Sequence, residues 1–288
     1  MDTDQQRGRR RLRRSAVILG TNEIASAVAV ALRRNDYDVV MSHDPSPPVI
    51  RRKMAFHDAL FGDPVSLGGI AAERVDSSLA LRGLLGRTDG VIITELGLLD
   101  LIVIQAIDLL VDARLQKYAA KPDLRRLARS TVGLGPGFVG GQNCDIAVET
   151  RPGKAGTIIE HGATDEADGV PGLLGEAAAE RFVRAEVNGR WHTAVEIGTR
   201  VYRDFIIGHL ANIAVPAPFD GLLRGVVRDD TEVLAGSKLL EIDPRGRAAS
   251  ATEIDDRVKQ IAAAVIRTLA LREAGLAERS GPKIHLVK

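Results

Sequence analysis

Val17-Ile18-Leu19-Gly20-Thr21-Asn22-Glu23-Ile24-Ala25-Ser26 reads as a short apolar strand, a tight turn at Gly20 and the opening of a helix. The chain then repeats the theme. A helix is predicted over Glu23–Arg34, a strand over Asp38–Met41, and, as an insertion interrupting the pattern, a small hairpin from Val65 to Ala72 turning at Gly68-Gly69. Ser77 is placed to cap a helix bearing Leu79, Leu81, Leu84 and Leu85; strand Val91–Thr94, helix Leu98–Gln105 and strand Ile107–Val111 follow. Apolar strands alternating with helices imply βαβ units and a parallel sheet, so residues 15–163 are expected to form a Rossmann-like α/β domain. The first turn keeps only the leading glycine of a dinucleotide fingerprint. The second strand ends in Met41-Ser42-His43 rather than in an acidic residue that would hold a ribose. Gly20 therefore stands as a candidate nucleotide contact, and a nucleotide- or NAD(P)-dependent small-molecule enzyme, or a non-catalytic scaffold docking a client enzyme, as alternative functions.

Further along, Gly133-Leu134-Gly135-Pro136-Gly137-Phe138 follows the strand signal Thr131-Val132 and precedes the strand Ile146–Thr150. Glycines this dense permit positive φ and let bare backbone approach an anion. The alternative is a plain turn between domains. Ile50-Arg51-Arg52-Lys53-Met54-Ala55-Phe56 sets three cations before a helix signal, and planar guanidinium forks suit phosphate or carboxylate. The expected ligand contacts are thus Gly133, Gly135, Gly137 and Phe138, with Arg51, Arg52 and Arg245 as anion partners and Glu149 orienting a hydroxyl or amine.

Thr164–Gly175, rich in Gly, Asp and Pro, marks a boundary, and residues 176–246 change to short β runs and turns. An internal repeat runs through them at an offset of 32 residues. Ala185, Gly189, Val195, Thr199 and Val201 align with Ala217, Gly221, Val227, Thr231 and Val233. Two interlocked β halves are expected, resembling the biotinyl/lipoyl-type barrel-sandwich module. The turn between the halves, Gly208–Ile213, has no lysine, so the domain is expected to be unmodified. A helix over residues 250–276 carries the stripe Ile254, Val258, Ile261, Val265, Ile266 and Leu269. It is expected to pack on the domain it follows, with homo-oligomerisation through this stripe as the alternative.

Composition narrows the function classes. Aromatic residues are 3%, too few for base-stacking platforms, which argues against specific nucleic-acid binding. Six arginines lie between Arg7 and Arg14; without them the net charge drops from +1 to −5, so a basic tail over residues 1–14, expected to be disordered, precedes an acidic body. No run approaches the ~18 apolar residues of a membrane span, and the single Cys144 rules out an internal disulfide framework. A cytoplasmic location is expected. The histidines show no metal-ligand spacing, and Walker, Gly-x-Ser-x-Gly and His-Glu-x-x-His motifs are absent.

Pro48 with Ile50-Arg51-Arg52 and Ala55-Phe56, Val111-Asp112-Ala113, the Gly133–Phe138 loop with Val148-Glu149-Thr150, Gly169-Val170-Pro171-Gly172 and Asp243-Pro244-Arg245-Gly246 together resemble the YqeB-like family of accessory proteins of the selenium-dependent molybdenum hydroxylase system. The resemblance spans Val17 to Ala264. It implies a role in maturing molybdenum hydroxylases of the xanthine-dehydrogenase type, a hydroxylase client, and a molybdopterin or nucleotide species as ligand. Arg151-Pro152-Gly153 stands where the family usually has Arg-Gly-His, and no cysteine follows the Asp-Pro-Arg-Gly motif.

Overall fold

The structure, a computed structural model, describes residues 13–280. Strand β1 (Arg14–Leu19) leads through α1 (Glu23–Arg34) to β2 (Tyr37–Ser42), and a hairpin of β3 (Ser66–Leu67) and β4 (Ile70–Arg74) follows. Then come α2 (Ser78–Leu84), β5 (Val91–Thr94), α3 (Leu98–Ile104), β6 (Leu109–Asp112) and β7 (Ser130–Leu134). Strands β8 (Val139–Gly140), β9 (Ile146–Val148), β10 (Ile158–Ile159) and β11 (Gly162–Ala163) end this part. The main sheet has nine strands in the order β10-β9-β7-β6-β1-β2-β5-β4-β3, parallel except at its two outer pairs. The hairpin is therefore part of the sheet rather than an excursion from it, because β4 pairs in parallel with β5.

Both faces of the sheet's centre are covered, which is why strands such as β1, β5 and β6 read as apolar runs instead of alternating, whereas β3 and β4 at the edge are largely exposed. Ile18, Met41 and Val111 pack under α1 with Ile24, Val28 and Leu32, whereas Val17, Val40 and Leu110 face Leu81, Leu101 and Phe138. Asn22 fixes the start of α1, its side chain accepting from the Ile24 and Ala25 N–H groups at 3.0 Å each.

The second part is built from β12 (Phe182–Arg184), β13 (Gly189–His192), β14 (Arg200–Val201), β15 (Ile206–Leu210), β16 (Ile213–Pro216), β17 (Gly221–Val226), β18 (Thr231–Val233) and β19 (Lys238–Asp243). They form two antiparallel four-stranded sheets, β12-β19-β17-β14 and β16-β15-β13-β18, around Trp191, Leu223, Val226 and Ile242. The sequence repeat becomes an exchange of strands. Gly189 of the first copy pairs with Val233 of the second, and Gly221 of the second with Val201 of the first. The same symmetry governs the turns. Ala185 donates to Ser237 O at 2.8 Å and accepts from Gly236; Ala217, 32 residues on, donates to Phe205 O at 2.8 Å and accepts from Asp204 at 3.0 Å. The hairpin tip joining the copies is Ala211-Asn212, both at positive φ (48° and 67°), the turn that suits tightly twisted antiparallel strands.

Helix α4 (Asp256–Ser280) returns to the first part. Val258, Ile261 and Val265 are buried against the core beneath α1, with Ile254, Ile266 and Leu269 packed at its margin. Each full burial of such a side chain contributes roughly 1.5–3 kcal/mol. This corrects two expectations. The helix closes the α/β part and not the β domain it follows, and its apolar stripe is spent within the chain instead of on a second copy. It also begins at Asp256 rather than near residue 250. The expected basic tail lies outside the described residues up to Leu12. Its last two residues belong to the fold: Arg14 opens β1, and Arg13 pairs with Asp89 at 2.8 Å.

Candidate functional site

The arginines picked out as anion partners are committed to the protein itself. Arg51, buried, grips Glu241 of β19 with two hydrogen bonds (Nε–Oε2 2.7 Å, Nη2–Oε1 2.9 Å) and reaches Asp255 at 3.1 Å and Glu23 at 3.3 Å. Arg181 adds a third bond to Glu241 at 2.9 Å. Burial alone would lower the Arg51 pKa, but Glu241 and Glu23 raise it well above the ordinary value. Arg52 donates to Val226 O at 3.0 Å and to Asp58 at 2.7 Å. Arg245 lies on Asp243, with Nη2–Oδ2 at 2.7 Å. Arg51 and Arg52 bind the two parts of the chain together, and Arg245 closes a local turn; the buried carboxylates they meet need compensating charge. Sequence spacing could not reveal that: Arg51 and Glu241 are 190 residues apart.

Glu149 is likewise internal. It is 2% exposed and accepts the N–H groups of Thr150 (2.6 Å), Arg151 (2.7 Å) and Asp165 (2.7 Å), so it organises the turn after β9 instead of facing a ligand. In the Gly-rich loop, Gly133 is covered by the buried ring of Phe138. Gly135 (φ +83°) donates to Val148 O and presses on Thr150, while Gly137 (φ +87°) is exposed beside the stem of Lys121.

At the crevice between β1 and β6, where the sheet order reverses, a dinucleotide would set its pyrophosphate on the α1 N-terminus. Asn22 occupies that place. Its Oδ1 takes the α1 N–H groups, and its Nδ2 donates to Ala113 O at 2.7 Å. A Cβ at Gly20 would stand 3.0 Å from the same carbonyl. Gly20 thus serves close packing of the β1 and β6 loops.

What the sequence did not disclose is a group of cations that converge with no carboxylate close enough to pair with them among the described residues, although Glu241, Glu23 and Asp168 act on them from farther off. Arg184 and Lys238 sit directly opposite one another in the β12–β19 ladder, and like charges so placed are destabilising. Lys238 Nζ lies 3.3 Å from the Phe182 ring centroid. Arg257, at the start of α4, donates to Thr150 O at 3.0 Å, next to the Gly135 turn. Lys117, from the loop after β6, is within electrostatic reach of Arg257 and Arg184. Among the described residues, none of these four forms an ion pair. Burial, then Arg51, Lys117 and Arg184, push the Lys238 amine down to about 7; burial and the neighbouring arginines lower Lys117 as well.

A pocket of about 160 Å³ opens between the two parts, lined by His43, His57, Phe61, Val49, Val227 and Arg228 among others. The buried Thr21 hydroxyl lies 2.9 Å from His57 Nδ1 and 3.4 Å from His43 Nδ1. Burial lowers both imidazoles, His57 to about 3. No three His, Cys, Asp or Glu side chains cluster to hold a metal ion among the described residues.

No protein-family model matches the chain. Its sequence is similar to that of the uncharacterized protein YqeB of Escherichia coli (strain K12), 32% identical over 264 residues. The match takes in 88% of this chain and 47% of the relative, so the chain spans about half the length of the curated relative it matches, and the likeness supports the YqeB-like reading of its motifs.

Proposed function

We propose that this chain binds a phosphate- or carboxylate-bearing small molecule in the cationic cleft formed by Lys117, Arg184, Lys238 and Arg257. The observation that carries the reading is the Arg184–Lys238 cross-strand pair, which has no ion-pair partner among the described residues. Charge-assisted bonds to an anion would relieve that repulsion. The Gly135–Gly137 turn borders the cleft through Thr150, whose carbonyl holds Arg257.

In finer terms, the nine-stranded sheet is read as Rossmann-like and the repeated β domain as a barrel-sandwich relative that carries no modification. The family resemblance makes the ligand a nucleotide or pterin phosphate and the role an accessory step in maturing molybdenum hydroxylases. An NAD(P)-dependent enzyme finds less support, since Asn22 fills the pyrophosphate position. Calorimetric titration with pyrophosphate, ADP and a pterin phosphate tests the reading. Lys238→Met and Arg257→Ala should each weaken binding by about tenfold or more, the value of one charge-assisted bond. Unchanged affinities in both variants would remove the cleft as the site.

A further inference from the structure

We infer that the pocket beside His43 and His57 is a separate binding site for one small planar ring presenting a hydrogen-bond donor next to an acceptor, the cis-amide edge of a lactam heterocycle. Thr21 stands between the two rings. Its hydroxyl has a single proton and lies between two Nδ1 atoms, at 2.9 Å from His57 and 3.4 Å from His43. If it donates to one ring it accepts from the other, so the two neutral imidazoles hold opposite tautomers. One Nε2 is then an N–H donor and the other a lone-pair acceptor. Neither Nε2 has a protein partner among the described residues, although His57 is 6% exposed, and both rings line the pocket. The rings stand 5.4 Å apart at 51°, so they present two neighbouring polar points rather than one.

The remaining walls suit a flat ring. Pro45, Pro48, Val49 and Val227 are apolar, Thr231 and Glu232 complete the wall with the Glu232 carboxylate held by Arg190 at 2.9 Å, and Arg228 lies 4.3 Å over Phe61, anchored by Asp63 at 2.6 Å. A volume of about 160 Å³ is close to that of an engineered cavity of ~150 Å³ that takes benzene, and below the ~300–1,000 Å³ of sites for larger ligands. One ring fits; a dinucleotide does not. With no third metal-ligating side chain in the group, the paired imidazoles are better matched to a complementary polar edge than to an ion.

The test uses the full chain with 2-pyridone, which has the donor–acceptor edge, against N-methyl-2-pyridone, which lacks the donor. Saturation-transfer NMR and calorimetry should show 2-pyridone binding, with the methylated ring weaker by about tenfold, the loss of one buried hydrogen bond. Thr21→Val, nearly isosteric, should also weaken binding about tenfold. Histidine ¹⁵N spectra of the unliganded protein should show one Nδ1–H and one Nε2–H tautomer, and Thr21→Val should abolish that asymmetry. Equal binding of the two rings, no binding of either, or identical tautomers in the parent protein would each overturn the inference. Sulfate competing with 2-pyridone would also overturn it, by assigning the pocket to anions.

Discussion

Arg51→Ala separates a structural arginine from a ligand-binding one. The substitution removes both bonds to Glu241, a side chain with no solvent exposure, and leaves it only the 2.9 Å bond from Arg181. Deleting one partner of a buried pair costs about 3–5 kcal/mol, because the other charge remains buried. For a protein of this size each kcal/mol corresponds to roughly 2–4 °C, so the melting temperature should fall on the order of 10 °C. Acid stability sharpens the test. Burial pushes the Glu241 carboxyl up, but Arg51 and Arg181 more than reverse this, and its pKa lies below the ordinary value. A depressed carboxyl contributes stability that is complete above its unfolded pKa, about 4.3, and is lost as pH falls through the folded value. Arg51→Ala should therefore flatten the acid limb of a urea-denaturation series between pH 7 and pH 3. Adding Glu241→Gln should recover part of the loss, since the orphaned charge is gone. If Arg51→Ala costs under about 1 kcal/mol while pyrophosphate affinity collapses, Arg51 is a ligand contact and the account of the seam is wrong.

Sulfate keeps its charge across the accessible pH range, so its affinity reports on Lys238 directly. With the free amine near 7, binding should require proton uptake above that pH, and affinity should fall by up to about tenfold per pH unit from pH 7 to 9. A flat profile would show that Lys238 does not meet the anion. Because Lys238 is lowered in the fold, unliganded stability should rise with pH above 7, where the unfolded chain holds the extra proton; Lys238→Met should remove that slope. Gly135→Ala, buried with its Cβ 2.6 Å from Thr150 Oγ1, should destabilise more than exposed Gly137→Ala, for which the positive φ alone costs ~1–2 kcal/mol; thermal melts rank the two. Cys144 is fully buried and its thiol is pushed up to about 12 by burial. Iodoacetamide at pH 8 should label it only after urea unfolding, and rapid native labelling would refute its core placement.

The sequence was most readable where local chemistry decides. Helix α1 ends where expected because Asn22 caps one end and the chain turns through Asn35 and Asp36 at the other. The 32-residue repeat was visible because glycine and alanine recur where strands cross or turns close, as at Gly189, Gly221, Ala185 and Ala217. Polar roles were harder to read. A run such as Arg51-Arg52-Lys53 looks the same whether its carboxylates come from solvent ligands or from a strand 190 residues away. Lys117, Arg184, Lys238 and Arg257 are scattered in the chain and meet only through the β12–β19 register and the return of α4. His43 and His57 escaped notice because their meeting depends on a threonine from a third loop.

The internal symmetry supplies an independent argument for the cleft. Under the 32-residue offset, Phe182, Arg184, Lys238 and Glu241 correspond to Ala214, Pro216, Ile206 and His209. The backbone pairing is the same in both copies, since Arg184 opposes Lys238 as Pro216 opposes Ile206. The scaffold therefore does not call for cations at these positions: Pro216 and Ile206 build the same ladder without them. Only the sheet that meets the α/β part through Glu241 and Arg51 carries the charges. There the carboxylates Glu23, Glu241, Asp243 and Asp255 are taken by Arg51, Arg181, Arg224 and Arg245. The surplus of Lys117, Arg184, Lys238 and Arg257 costs the unliganded fold stability, and a bound dianion would return it. By linkage the protein should gain about 2.7 kcal/mol at a hundredfold excess of ligand over its dissociation constant. Replacing Arg184 with Pro and Lys238 with Ile, the residues of the other copy, should leave the β domain folded and remove that gain. If the doubly substituted chain is still stabilised by pyrophosphate as the parent is, the asymmetry between the copies has another purpose.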